Sequence, residues 1–133
     1  MTDSAPATPA TIDNDELLAR FVFFNRWVRE DRTVRPDAFV PHPHADLSVT
    51  RHIGMSETEL WQQGEIARGT RQAPLIGRAD VMAGDVRSQT LQIRPDEPPR
   101  NHAIIVGWLG DKPGQKIKAQ AIAAAARYRA YAA

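Results

Sequence analysis

The sequence predicts an α+β fold: a small mixed or antiparallel sheet of four to five strands with two helices, the C-terminal helix packed on the sheet. The 133 residues are 42% hydrophobic and 25% charged, a composition and length that suit one buried core. Short segments of alternating polarity are separated by Pro and Gly, as strands are. Two further segments carry helix signals, a capping box and an alanine-rich run.

The chain divides into a tail and one domain. Residues 1–14 are rich in Ala, Pro, Thr and Asp, and such a segment buries too little apolar surface to offset its ordering entropy. We therefore predict a flexible tail over 1–14. No Gly/Ser-rich or charged linker interrupts residues 15–133, which are predicted to form a single compact domain.

The N-terminal half of the domain contains two predicted strands. Residues 20–28 are rich in aromatic and β-branched side chains, which favours a strand, although the acidic residues before them could cap a helix. Residues 30–46 carry three prolines and are predicted to be a loop. Residues 47–53 alternate in polarity and predict a strand, on which Arg51 shares a face with apolar side chains.

A helix is predicted to begin after Ser56. Ser56 and Glu59 have the spacing of a capping box, and Met55 and Leu60 have that of a hydrophobic staple. The predicted helix runs to residue 68, where Gly69 ends it. Its buried side is predicted to consist of three apolar residues, namely Leu60, Trp61 and Ile66.

The C-terminal half predicts three more strands and a helix. Residues 79–82, 90–94 and 102–109 are short apolar segments, with a turn predicted at Gly84 and Asp85. The alanine-rich residues 115–130 predict a helix. Its predicted buried face consists of Ile117, Ala121, Ala125 and Tyr128.

Four stretches of the chain resemble a small family of uncharacterised bacterial proteins. They are AFVP, LSVTRH, GRADV and NHAIIVGWL, the last together with the alanine-rich helix predicted after it. The resemblance extends over most of residues 20–130. It implies a single compact domain, and no activity is attached to it.

Composition excludes some classes of function. The chain has no cysteine, so disulfides, thiol catalysis and thiolate metal sites are excluded. The formal net charge is +1, which gives no general attraction to nucleic acid or to an acidic membrane. No secretory signal or membrane-spanning run is evident, so we expect a cytoplasmic protein without a membrane partner.

A candidate metal site lies in the sequence His42-Pro-His44-Ala-Asp46. A His-x-His-x-Asp run is similar to the start of the zinc-binding motif of metallo-β-lactamase-fold hydrolases, in which these residues are ligands. Leu47 replaces the closing histidine of that motif, and the chain is roughly half as long as that fold requires. The alternative is an exposed, proline-stiffened loop.

Candidate catalytic residues are Arg51, His52 and His102. On neighbouring strands, the arginine could hold an anion while a histidine acts as general acid or base. The alternative is a buried ion pair, in which Arg51 would have an acidic partner such as Asp46, Asp80 or Asp85.

A candidate partner-binding surface contains Arg20, Arg26, Trp27 and Arg29, because arginines interleaved with aromatic residues suit both phosphate groups and protein interfaces. The alternative is a solvated or ion-paired face.

A second anion-binding candidate is the turn with Lys112 and Lys116, between a predicted strand and the last helix.

The leading functional hypothesis is a small accessory domain that binds a protein partner. The first alternative is a hydrolase or nuclease acting on phosphate-containing substrates through His, Asp and Arg side chains, with or without a metal. The second alternative is arginine-mediated nucleic-acid binding. Whether the protein is an enzyme stays open at this point, as does any cofactor.

Overall fold

The computed structural model describes residues 8–42 and 45–131, which form an open six-stranded sheet with three α-helices. All strand pairs are antiparallel, in the order β4-β5-β2-β1-β3-β6. In chain order the elements are β1 (Leu17–Val22), β2 (Leu47–Arg51), α1 (Glu57–Arg68), β3 (Gly77–Met82), α2 (Ala83–Arg87), β4 (Gln92–Pro95), β5 (His102–Val106), α3 (Lys112–Ala125) and β6 (Arg127–Ala130). No helix within these two ranges is long and apolar enough to cross a membrane.

The predicted α+β class is confirmed, but the number of elements is larger than predicted. Residues 83–87 form the short helix α2 where a turn was expected. The predicted last helix ends at Ala125, and β6 follows it. Alanine propensity favours a longer helix, but β6 instead pairs with β3, and the Tyr128 hydroxyl donates a hydrogen bond to the Ile76 carbonyl.

The first strand lies earlier in the chain than predicted. It spans Leu17–Val22, and a 3₁₀ turn occupies Asn25–Trp27 within the expected strand 20–28. The ladder with β3 runs from the Leu17–Met82 pair to the Val22–Gly77 pair. Since β3 begins at Gly77, the residues after Val22 have no partner strand and turn away.

The sheet separates two apolar clusters. Along β1, Leu18 belongs to the larger cluster, whereas Ala19 and Phe21 belong to the smaller one, as expected for side chains that alternate between faces. Helices α2 and α3 contribute to the larger cluster, and Leu60 of α1 contributes to the smaller one. Helix α1 therefore covers the opposite face of the sheet from α2 and α3.

Helix α3 does pack against the sheet, but through a different face from the one predicted. Ile117 is 68% exposed, so the stripe that begins with it faces solvent. The buried residues are Gln115, Ala119, Ile122 and Ala123. Small alanine side chains occur on every side of this helix, so the sequence alone does not distinguish the two faces.

Helix α1 confirms the predicted capping box, with both reciprocal hydrogen bonds between Ser56 and Glu59 present. Leu60 is buried as predicted, whereas Ile66 is 57% exposed. Gly64 is buried instead. It packs so closely that a Cβ atom at this position would lie 2.7 Å from Leu75 and 2.8 Å from the Phe21 ring. The glycine lets α1 approach the sheet closely.

The described part of the predicted tail, residues 8–14, packs against the domain. Ile12 is only 5% exposed and belongs to the larger cluster. The carbonyls of Pro9 and Thr11 accept hydrogen bonds from the Arg51 guanidinium. One aliphatic side chain and two backbone acceptors thus fix a segment whose composition favours disorder.

Candidate functional site

The candidate site is built where β1 and β2 separate. Their ladder contains only the pairs Leu18–Arg51 and Ala19–Thr50. Beyond them, the half-buried Arg20 side chain occupies the gap. Its Nε donates to the Ala38 carbonyl at 2.8 Å, and its Nη1 donates to the Ser48 carbonyl at 3.1 Å. These two bonds hold the guanidinium against β2 and the segment that precedes it.

A cavity of about 660 Å³ opens beside Arg20, and we call it the basic cavity. Its walls come from β1, the turn after β1, the segment before β2, the loop after α1 and the first turns of α3. Five basic side chains and one carboxylate, Asp37, line it together with His42. The basic side chains are Arg20, Arg26, Arg71, Lys112 and Lys116.

These five cations outnumber the single carboxylate that lines the cavity with them. None of them forms an ion pair with a carboxylate of the described residues, whereas Arg51 and Arg78 each do. Lys112 instead donates a hydrogen bond to the Pro41 carbonyl at 3.1 Å. The basic cavity therefore keeps a positive potential, although the whole chain is almost neutral.

Aromatic rings hold the three arginines of the basic cavity. The Arg20 guanidinium lies 5.4 Å from the centre of the Trp27 ring, and Arg26 lies 4.6 Å from that of Phe24. Arg71 lies 4.7 Å from the centre of the Phe23 ring. A guanidinium stacked on a ring keeps its N–H edge free for hydrogen bonds and loses less side-chain entropy when it binds.

The environment of Arg20 destabilises its charged form. Burial lowers the pKa of Arg20 to about 10, and the positive charge of Arg71 lowers it further in the same direction. The side chain is still protonated at neutral pH. The attraction of an anion bound beside Arg20 and Arg71 would offset both the cost of desolvation and the repulsion.

A second cavity of about 410 Å³ adjoins the basic cavity, and Arg20, Phe23 and Arg71 line both. It lies between the last turn of α1, represented by Ile66 and Ala67, and the sheet. Its remaining lining comes mainly from β1, β2 and β5, and includes Phe21, Ser48, Val49, Thr50, Pro99 and His102.

The predicted metal ligands do not form a described cluster. His42 lines the basic cavity, Asp46 is exposed at the start of β2, and His44 lies outside the described residues. Within residues 8–42 and 45–131, no group of three His, Asp or Glu side chains could hold a metal ion. The three-ligand site stays a prediction because His44 is not described.

Two of the predicted catalytic residues, Arg51 and His52, lie on opposite faces of the sheet, whereas His102 lies on β5, which pairs with β2. Arg51 is 1% exposed and lies on the face of the larger cluster, where its Nε lies 2.5 Å from an oxygen of Glu16. His52 alternates to the other face. Its Nε2 lies 2.9 Å from Asp80 Oδ1. The expected ion pair of Arg51 exists, but its partner is Glu16 rather than any of the aspartates considered.

His52 belongs to a continuous polar network. Asp80 accepts hydrogen bonds from Arg78, which is 1% exposed, and Arg78 also forms a bidentate pair with Glu57 of α1. Hydrogen bonds from Arg78 are the main cause of the lowered pKa of Glu57. The network ties the start of α1 to β3, and His52 lines neither the basic nor the second cavity.

Three of the predicted partner-binding residues line the basic cavity, namely Arg20, Arg26 and Trp27. The two lysines of the second anion-binding candidate, Lys112 and Lys116, line the same cavity. Arg29 points elsewhere and donates to Thr33 and to the Val34 carbonyl. Sequence reasoning missed Arg71. A single arginine in a loop after a helix carries no local signal of its function.

Comparisons with models of known protein families, with curated proteins and with solved structures find no match for this chain.

Proposed function

We propose that the protein is a binding module for ligands that carry phosphate groups, which it holds in the basic cavity. The observation that carries the proposal is the convergence of five cations without a carboxylate partner among the described residues. Arginine binds phosphate through two parallel N–H donors, and three of the five cations are arginines.

The arrangement supports a multiply charged anion over a single carboxylate. Arg26 and Arg71 are exposed, make no side-chain hydrogen bond to another described residue, and are stacked on rings. Together with the half-buried Arg20, they offer donors from β1, from the turn directly after it and from the loop after α1. A ligand with several phosphate oxygens can use all three, whereas a lone carboxylate has only two oxygens.

The proposal draws on both phosphate-related hypotheses from the sequence. Hydrolysis of the bound ligand stays a prediction, as does the binding of a protein partner. The candidate catalytic residue closest to this proposal is His102, which lines the adjoining second cavity.

The proposal is tested by calorimetric titration of the full chain with sodium tripolyphosphate. We expect the Arg71→Ala and Arg26→Ala variants to bind about 10-fold or more weakly, because each loses charge-assisted hydrogen bonds worth about 1.5–3 kcal/mol. Raising the salt concentration from about 0.05 to 0.5 M is expected to weaken binding by the wild type.

The matched control is Arg94→Ala, because Arg94 is an exposed arginine of β4 that lines neither cavity. It should bind tripolyphosphate as the wild type does. An equal loss in all three variants would show a general charge effect and reject the basic cavity as the site, and absence of binding by the wild type would reject the function.

A further inference from the structure

The second cavity borders the basic cavity and has a lining of different chemistry. Arg20, Phe23 and Arg71 form the boundary between the two cavities. An anionic group bound at Arg20 and Arg71 would therefore have room on both sides. On one side lie the lysines of α3, and on the other lies a mostly uncharged space of about 410 Å³.

The walls of the second cavity combine apolar surfaces with unused hydrogen-bonding groups. Phe21, Phe23 and Ile66 supply the apolar part. The side chains of Ser48 and Thr50 also line the cavity and make no hydrogen bond to another described residue. Hydroxyl groups both donate and accept, so they can pair with either kind of polar group on a ligand.

His102 adds an oriented group to this cavity. Its Nδ1 lies 3.0 Å from both the carbonyl oxygen and a carboxylate oxygen of Asp96, which accept hydrogen bonds, so Nδ1 carries a proton. In the neutral ring, Nε2 is then an acceptor. The cavity thus offers an imidazole ring besides its two hydroxyls.

These walls suit a flat ring with polar edges. An acyl chain would leave the hydroxyls and the imidazole without partners, which is unfavourable once water is displaced. Inorganic phosphate alone would leave the second cavity without a ligand. A nucleobase has an apolar face and an edge with both donors and acceptors.

We propose, on the basis of the proposed function, that the ligand is a free nucleoside phosphate whose base lies in the second cavity and whose phosphates lie in the basic cavity. The shared boundary then places the first phosphate beside Arg20 and Arg71, and the outer phosphates toward Lys112 and Lys116. A free nucleotide is favoured over a nucleic-acid strand because the net charge of +1 offers little attraction beyond the cavity.

The test compares the four ribonucleoside triphosphates with tripolyphosphate by calorimetry on the full chain. We expect at least one nucleotide to bind about 10-fold more tightly than tripolyphosphate. The Ala67→Trp variant fills the second cavity from an exposed position of α1. It should remove that advantage and leave the affinity for tripolyphosphate unchanged. The control Gln62→Trp changes an exposed residue of α1 that lines neither cavity, and it should bind as the wild type does.

The outcomes separate this inference from the proposed function. Equal affinities for all four nucleotides and for tripolyphosphate would overturn the nucleotide inference and leave phosphate binding intact. Binding of neither kind of ligand would overturn both. Tighter binding of a single-stranded oligonucleotide than of any triphosphate would overturn the free nucleotide as ligand. Equal effects of A67W and Q62W would overturn the second cavity as the base site.

Discussion

At the scale of single residues, several arginines of this protein fall into two groups, according to whether they form ion pairs with carboxylates. Arg51 and Arg78 are each 1% exposed and paired with carboxylates. Arg20, Arg26 and Arg71 have no carboxylate partner among the described residues, and they lie against aromatic rings and face a cavity. Paired arginines contribute to the fold. The guanidinium groups of Arg26 and Arg71 make no hydrogen bond to another described residue and are available to a ligand, whereas Arg20 already uses Nε and Nη1 in bonds to the Ala38 and Ser48 carbonyls. Residue type alone does not reveal which group a given arginine belongs to.

The structural role of Arg51 leads to a stability prediction. We expect Arg51→Met to lower the free energy of unfolding by about 3–5 kcal/mol, because it leaves the Glu16 carboxylate, which is 8% exposed, buried without its cation. Urea denaturation measures the change. The control Arg100→Met removes an ion pair whose two side chains are 45% and 42% exposed, and it should cost only about 0–1 kcal/mol. Similar losses in the two variants would contradict this assignment.

At the scale of elements, local signals were reliable where the structure depends on local contacts. The capping box of α1 involves residues three apart, and the helix begins where the sequence predicts. The strand predicted over 47–53 is observed as Leu47–Arg51. By contrast, the length of α3 depends on the pairing of β6 with the distant β3. The sequence around residue 126 gives no sign of that pairing.

The capping box also predicts a dependence of stability on pH. The Ser56 backbone N–H, with Arg100 and the Ser56 hydroxyl, lowers the pKa of Glu59 from 4.5 to about 2. The ionised carboxylate therefore stabilises the folded chain fully above pH 4.5, and this contribution is lost as the pH falls toward 2. We expect the Glu59→Gln variant to have a lower free energy of unfolding than the wild type. Urea denaturation should show that this difference is largest above pH 5 and becomes smaller toward pH 2. A deficit independent of pH would contradict it.

At the scale of the whole molecule, segments far apart in sequence complete both the core and the site. The described N-terminal residues 8–14 contribute Ile12 to the larger cluster, although their composition favours a flexible tail. The basic cavity likewise takes side chains from four separate segments of the chain, namely 20–27, 37–42, the loop with Arg71, and 112–116. Neither arrangement could be predicted from periodicity, because periodicity reports only on neighbours within one element.

The packing of Ile12 is testable. Ile12→Ala should lower the free energy of unfolding by about 2–5 kcal/mol, since it opens a cavity beside a side chain that is 5% exposed. The matched control Ile117→Ala changes an isoleucine that is 68% exposed and should alter stability by no more than about 0.5 kcal/mol. Denaturation midpoints of the two variants decide the question. Equal midpoints would mean that residues 8–14 add nothing to the core.

The sequence by itself determined the α+β class, the start of α1 and the alternation of β2, because each rests on contacts between near neighbours or on overall composition. It also pointed to Arg20, Arg26 and Trp27, and separately to Lys112 and Lys116. Only the tertiary structure decided that these residues face one cavity with Arg71. The sum of all charges is +1, whereas the potential at a point depends on distances, and distances between remote segments are fixed only when the sheet assembles.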